Sequence, residues 1–238
     1  MPSDAIPPSI TIAAGQQFHR VIKREEDDQG NRKYDALDPN PFRNLEWLSD
    51  VRALYSDGTA VSGRFSPFLG SDSVPVPALY LAPIPETAYF EVILRPRAKG
   101  VIALQKSEVA KLEIARVSFK KPLKLADCRK CYLQDGSQPF WDYTFDQLFE
   151  AAQMKCLDNA RSLAKFIHDS YPDIDGLVWD SVQHGNLVPV YMIFGERRDG
   201  MIEATANALS DIAVWKPYLL NCIADKTVVV STDIAALL

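Results

Sequence analysis

An α/β fold in its segregated α+β form is the class this sequence predicts, and three observations predict it. Short apolar runs bounded by glycine and proline, such as "ALYL" at 78–81, "GLVWDSV" at 176–182 and "LVPVYMIFG" at 187–195, have the length and punctuation of strands. The stretch from Leu157 to Ser170 instead carries Leu157, Ala160, Leu163, Ala164 and Ile167 on one helical stripe. Strands cluster on either side of helices without regular βαβ alternation, and no glycine-rich phosphate-binding fingerprint occurs. The expectation is a single domain with a small curved mixed sheet flanked by helices.

Residues 1–15 read as an N-terminal arm, without the basic start and apolar core of a secretory signal. The main domain is expected over 16–200. Lys23 to Asn44 is crowded with charges and turn formers, so it reads as a surface insertion in that domain. Leu45, Leu48, Val51 and Leu54 recur at helical spacing. The connection "GRFSPFLGSDSVPVP" leads into the strand at 78–81, which Pro83 and Pro85 close. Pro85 suits the first position of a helix, and Glu86 falls in the first turn, where the helix dipole favours a negative charge. From Arg116 to Ala126 the alternation of Val117, Phe119, Leu123 and Leu125 predicts β structure. Helices are expected at Phe145 to Ala152 and about Leu157 to Ser170, then two buried strands. Residues 201–238 form a C-terminal extension, packed on the same domain and ending in the strand-like "KTVVVSTDI".

Composition excludes several function classes. A 47% hydrophobic and 24% charged chain is an ordinary globular one, and its net charge of −5 disfavours direct nucleic-acid binding through a phosphate-reading surface. No window approaches the roughly 20 apolar residues that span a bilayer, so no membrane contact and a cytoplasmic location are expected. Cys128 and Cys131 make a lone CxxC, and Cys156 and Cys222 stand apart. Zinc would want a second pair or histidines at ligand spacing, which His168 and His184 do not offer, so no metal is expected.

One charge breaks the pattern. In "TAYFEVIL", residues 87–94, Glu91 sits among Tyr89, Phe90, Val92, Ile93 and Leu94. A carboxylate there is costly to bury unless something pairs with it or uses it. Pairing with Arg95, one turn on, is the bland explanation. Taken singly, Arg64 reads as a loop ion-pair residue, Tyr80 as a core aromatic and Ser181 as a hydroxyl bonded to nearby backbone. Trp141 and Trp179 read as core aromatics.

Together, "FHRV" with Arg20, "GRF" with Arg64, "YLAPIPETAYFEV" with Tyr80 and Glu91, and "DGLVWDS" with Ser181 form an ordered set. The set resembles the RES domain family, named for its Arg, Glu and Ser residues, from about Phe18 to about Gly195. The chain departs from that pattern by insertions before Gly63 and after Arg64, by "SPFLG" in place of Asn-Pro-Pro-Gly, and by its C-terminal extension. The resemblance implies an ADP-ribosyltransferase-like core and an enzyme that takes NAD as substrate. Members are toxins restrained by a helix-turn-helix antitoxin. They consume NAD by hydrolysis or phosphorolysis, or transfer ADP-ribose to a target. It further implies Glu91, Arg64, Tyr80 and Ser181 as catalytic positions, with Arg20, Arg64 and Tyr80 binding NAD.

Those residue types suit the implied chemistry. Cleaving the nicotinamide–ribose bond passes through an oxocarbenium-like state, as glycoside cleavage does. Nicotinamide leaves neutral and needs no general acid, so one carboxylate suffices to stabilise the ribose cation. An arginine fork suits a pyrophosphate, a tyrosine ring can stack on a flat heterocycle, and a serine can bond ribose or amide. Three classes stay open at this point: an NAD glycohydrolase or phosphorylase toxin, a protein ADP-ribosyltransferase, and a non-catalytic binding module.

Overall fold

Strands form in this protein where burial comes from two sides. The computed structural model describes residues 6–23, 26–31, 35–38, 64–65, 68–92, 102–104, 110, 112–133, 143–149, 153–184, 188–197, 200–208, 212–225 and 228–230. Strand β9 (Gly176–Asp180) is buried at every residue, and β10 (Pro189–Phe194) at all but its first. Alternation along them sends Leu177, Trp179, Met192 and Phe194 into one apolar cluster, and Val178, Tyr191 and Ile193 into another. A sheet covered on both faces needs continuous apolar runs, and "LVW" and "VYMIF" are such runs.

The sheet they belong to has five strands in the order β1-β8-β9-β10-β5, with β1 at Ser9–Ile12, β5 at Ala78–Leu81 and β8 at Leu123–Asp127. All its pairs are antiparallel except β8 with β9. A parallel pair requires a crossover. Here that crossover contains the helices α2 (Lys130–Leu133), α3 (Phe145–Phe149) and α4 (Gln153–Ser170). Helix α4 lays Ala160, Leu163, Ala164 and Ile167, all fully buried, on the face that carries Trp179 and Met192. Each such aliphatic side chain contributes about 1.5–3 kcal/mol when fully buried, alanine less.

The opposite face packs on a second, antiparallel sheet of β2 (Gln17–Lys23), β7 (Leu112–Phe119) and β11 (Met201–Ala208), ordered β11-β7-β2. Phe18 seals the contact, edge-on to Phe119 at 6.2 Å and to Tyr191 at 5.1 Å. The layers are therefore sheet, sheet and helices, a mixed α/β architecture as expected. Close approach within the five-stranded sheet depends on Gly176, because a Cβ there would lie 1.9 Å from the Met192 carbonyl oxygen.

Several elements differ from the sequence expectations. The connection at 63–77 contains a hairpin, β3 (Phe68–Leu69) and β4 (Pro75–Val76). It forms because Phe68 and Val76 are buried while the tip at 71–74 stays in water. The alternation through Val117 to Leu125 splits at Pro122 into β7 and β8, which join different sheets. Residues 9–12 pair as an edge strand on β8. Helix α3 is described over Phe145–Phe149, and α4 is already helical at Gln153, four residues before the expected start; residues 150–152 lie outside the described residues. Beyond β11, the chain forms α5 (Ile212–Asp225) and β12 (Val228–Val230), the latter parallel to β6 (Ile102–Leu104). Within the charged excursion, Glu26 to Asn31 are exposed but Ala36 is fully buried. The helical spacing at Leu45 to Leu54, and Arg95 and Trp141, lie outside the described residues. Cys128 and Cys222 are buried in the core, and burial pushes the Cys128 thiol up. No helix among the described residues is long and apolar enough to cross a membrane.

Candidate active site

The site is built where β5 hands over to a helix. A bridge between His19 and Ala82, with both amides bonding at 2.8 Å, ties the end of β5 to β2. Pro85 then opens α1 (Pro85–Val92), as its fixed φ and missing N–H allow. Glu86 in the first turn accepts from the Asn221 side chain of α5 at 3.0 Å. Thr87, Ala88, Tyr89 and Phe90 are buried in succession, and burial pushes the Tyr89 phenol up. Burial likewise draws the His19 pKa below its usual value, with the Arg116 charge adding to the effect.

Thr87 and Glu91 are four residues apart, so they share one face of α1. That face meets the turn that follows β9. The Ser181 hydroxyl donates to Glu91 Oε1 at 2.6 Å, in the short range of a hydrogen bond to a carboxylate. One turn back, Thr87 Oγ1 lies 2.7 Å from His184 Nδ1. The His184 ring stacks on Phe90, with centroids 4.5 Å apart and planes 23° from parallel. The His184 amide donates to Ser181 Oγ at 2.9 Å. The serine oxygen thus accepts a hydrogen bond from the turn and donates its own hydrogen to Glu91, which fixes the hydroxyl's direction.

A second group is assembled around Trp179 of the five-stranded sheet. Tyr80 packs edge-on to Trp179 at 6.2 Å, and its hydroxyl accepts from the Phe65 amide at 3.2 Å. Phe65 in turn packs on Trp179 at 4.9 Å and on Phe149 at 5.9 Å. Arg64 donates to the Leu148 carbonyl at 2.8 Å and lies 5.1 Å over the Phe149 ring, a cation–π contact with α3. The period of two places Leu177, Trp179 and Ser181 on one side of the chain, and the Ser181 amide is still paired, to the Val188 carbonyl at 2.8 Å. Arg64 and Tyr80 thus pack about Phe65, Trp179 and Phe149, and the Ser181–Glu91 pair stands just beyond the end of the strand that carries Trp179.

Arg20 is placed differently. It shares the side of β2 that sends Phe18 and Ile22 into the cluster between the two sheets, across the five-stranded sheet from Trp179. It is 2% exposed and donates to the Ala36 carbonyl, anchoring the charged excursion. Ser181, at 0%, is equally enclosed, whereas Glu91, Arg64 and Tyr80 are half-buried. Glu91, Arg64 and Tyr80 therefore keep surface that a ligand can touch. The Ser181 hydroxyl is directed at Glu91, and the Tyr80 hydroxyl accepts from the Phe65 amide. In the sequence, His184 stands out only as a histidine that lacks zinc-ligand spacing. The signal for its place is Thr87 one helical turn before Glu91 together with His184 three residues after Ser181.

A family model for the RES domain matches residues 41–211, well over half of the chain. The matched span includes Arg64, Tyr80, Glu91, Ser181 and His184 and leaves Arg20 outside. A comparison with curated proteins finds no match.

Proposed function

The chain belongs to the RES domain family, known generally as an NAD-related toxin domain, and from that premise we propose that it cleaves the nicotinamide–ribose bond of NAD. The observation that carries the proposal is the half-buried Glu91 carboxylate, held at one oxygen by a serine whose own orientation the turn dictates. Electrostatic stabilisation works when the charge is placed before the reaction needs it.

In this reading NAD is the substrate, with its nicotinamide ribose against Glu91. As the glycosidic bond lengthens, positive charge grows on the ribose and nicotinamide leaves as a neutral molecule. Glu91 stabilises that charge and orients the incoming nucleophile. Arg64 offers a guanidinium fork for the pyrophosphate, and its stacking on Phe149 limits the freedom lost on binding. Tyr80, braced by Trp179 and Phe65, supplies a rigid aromatic wall. Arg20 anchors Ala36 and supports the scaffold from the far side of the sheet. A helix-turn-helix antitoxin is the proposed partner, restraining the activity by covering this face.

The purified protein incubated with NAD tests the proposal. Nicotinamide release without any protein acceptor is the expected result, with ADP-ribose formed in water or ADP-ribose 1″-phosphate when phosphate is present. Nicotinamide release only with an ADP-ribosylated protein would make the chain a transferase. Binding of NAD without turnover would leave a binding module.

A further inference from the structure

We propose that His184 is a positioning residue for the reaction, a clasp that holds the Ser181 turn against helix α1 and so fixes the Glu91 carboxylate. The inference rests on the NAD reading of the site and adds to it a residue outside the Arg, Tyr, Glu and Ser set.

Three contacts converge on this one side chain and its amide. Its backbone N–H reaches Ser181 Oγ at 2.9 Å, its Nδ1 reaches Thr87 Oγ1 at 2.7 Å, and its ring stacks on Phe90 at 4.5 Å. Thr87 and Phe90 are both fully buried, so the imidazole is held by rigid groups on the helix side. Glu91 follows directly on that helix, one turn beyond Thr87. The helix and the turn are therefore joined at two rungs, Thr87 to His184 and Glu91 to Ser181. The lower rung is made of groups that the chemistry consumes nowhere. Its effect is to prevent rotation about the single upper bond, and the stack on Phe90 resists sliding along the helix. A misplacement of about 1 Å of a reacting group can cost roughly a hundredfold in rate. A clasp that removes such play therefore acts on turnover and leaves the groups that bind NAD, Arg64 and Tyr80, untouched.

Three variants measured beside the parent test this. His184→Phe keeps the stack and loses the polar rung, His184→Asn keeps a polar atom near the Nδ1 position, and Thr87→Val removes the rung from the helix side. Nicotinamide release is measured for each over a range of NAD concentrations, with thermal unfolding as the control for folding. We expect kcat to fall about tenfold to a hundredfold in His184→Phe and in Thr87→Val, with KM nearly unchanged. His184→Asn recovers part of that loss, and combining His184→Phe with Thr87→Val costs no more than either alone. If His184→Phe does not fold, Thr87→Val decides the question, since valine matches threonine in shape. Parent-like kcat in Thr87→Val and in every folded His184 variant overturns the clasp while leaving the NAD reading intact, as does a rise in KM alone. A parent protein that releases no nicotinamide overturns the NAD reading, and this inference with it.

Discussion

At Ser181 the side chain has one proton to give and two neighbours that fix where it goes. The His184 amide donates to its oxygen, its own hydrogen is donated to Glu91, and Ser181 itself has no exposure to water. Ser181→Ala removes the donor and leaves the His184 amide without its partner. Stability should fall by about 1–3 kcal/mol, the cost of an unsatisfied buried group. Turnover should fall more steeply than stability explains, by about tenfold or more, because Glu91 is then free to turn. Denaturant unfolding and nicotinamide release on the same preparation separate the two effects, and unchanged turnover in a folded Ser181→Ala protein contradicts the orienting role. Residue identity alone said little of this. Ser181 and Glu91 are 90 positions apart, and only the order of several motifs linked them. The tetrad "FHRV" reads the same whichever sheet it joins, so the burial of Arg20 between two sheets was not legible.

The elements were legible where their signals are local. Pro85 and Glu86 mark the start of α1, glycine and proline bound β9 and β10, and the apolar stripe of α4 is visible in one window. The second sheet was not, because β2, β7 and β11 come from distant parts of the chain and pair only through tertiary contacts. The far end of α4 carries its own clasp. His168 lies 2.6 Å from Glu196 and 2.8 Å from Asp169, and Arg197 donates to the carbonyls of His168, Tyr171 and Ile174. Burial and the Arg197 charge disfavour the charged imidazole, but hydrogen bonds to Glu196 and Asp169 and the Glu196 charge more than offset them, so the His168 pKa is raised. A raised folded-state pKa gives stability that is fully present below the unfolded value of 6.5 and lost as pH rises through the folded value. Unfolding free energy should therefore drop by at most about 1 kcal/mol as pH rises from 6.5 past that raised value, since Glu196 is partly exposed. Glu196→Gln should flatten that slope when Tm is followed against pH. A parent and variant with the same slope would remove His168 from the pH dependence.

For the whole molecule, the layering decides what can serve as a site. The five-stranded sheet buries both faces, so reactive groups must sit at its rim, where β5 turns into α1 and β9 turns back into β10. That rim joins a half-buried carboxylate to a serine turn. The central claim is that Glu91 stabilises the charge that forms on ribose. Its most direct test is nicotinamide release by Glu91→Gln beside the parent, with NAD binding measured on both. Glutamine keeps the shape and can still accept from Ser181, so the variant should fold and bind NAD. Its turnover should be lower by roughly two orders of magnitude or more. A folded Glu91→Gln protein that releases nicotinamide at close to the parent rate would contradict the claim and return Glu91 to a structural role.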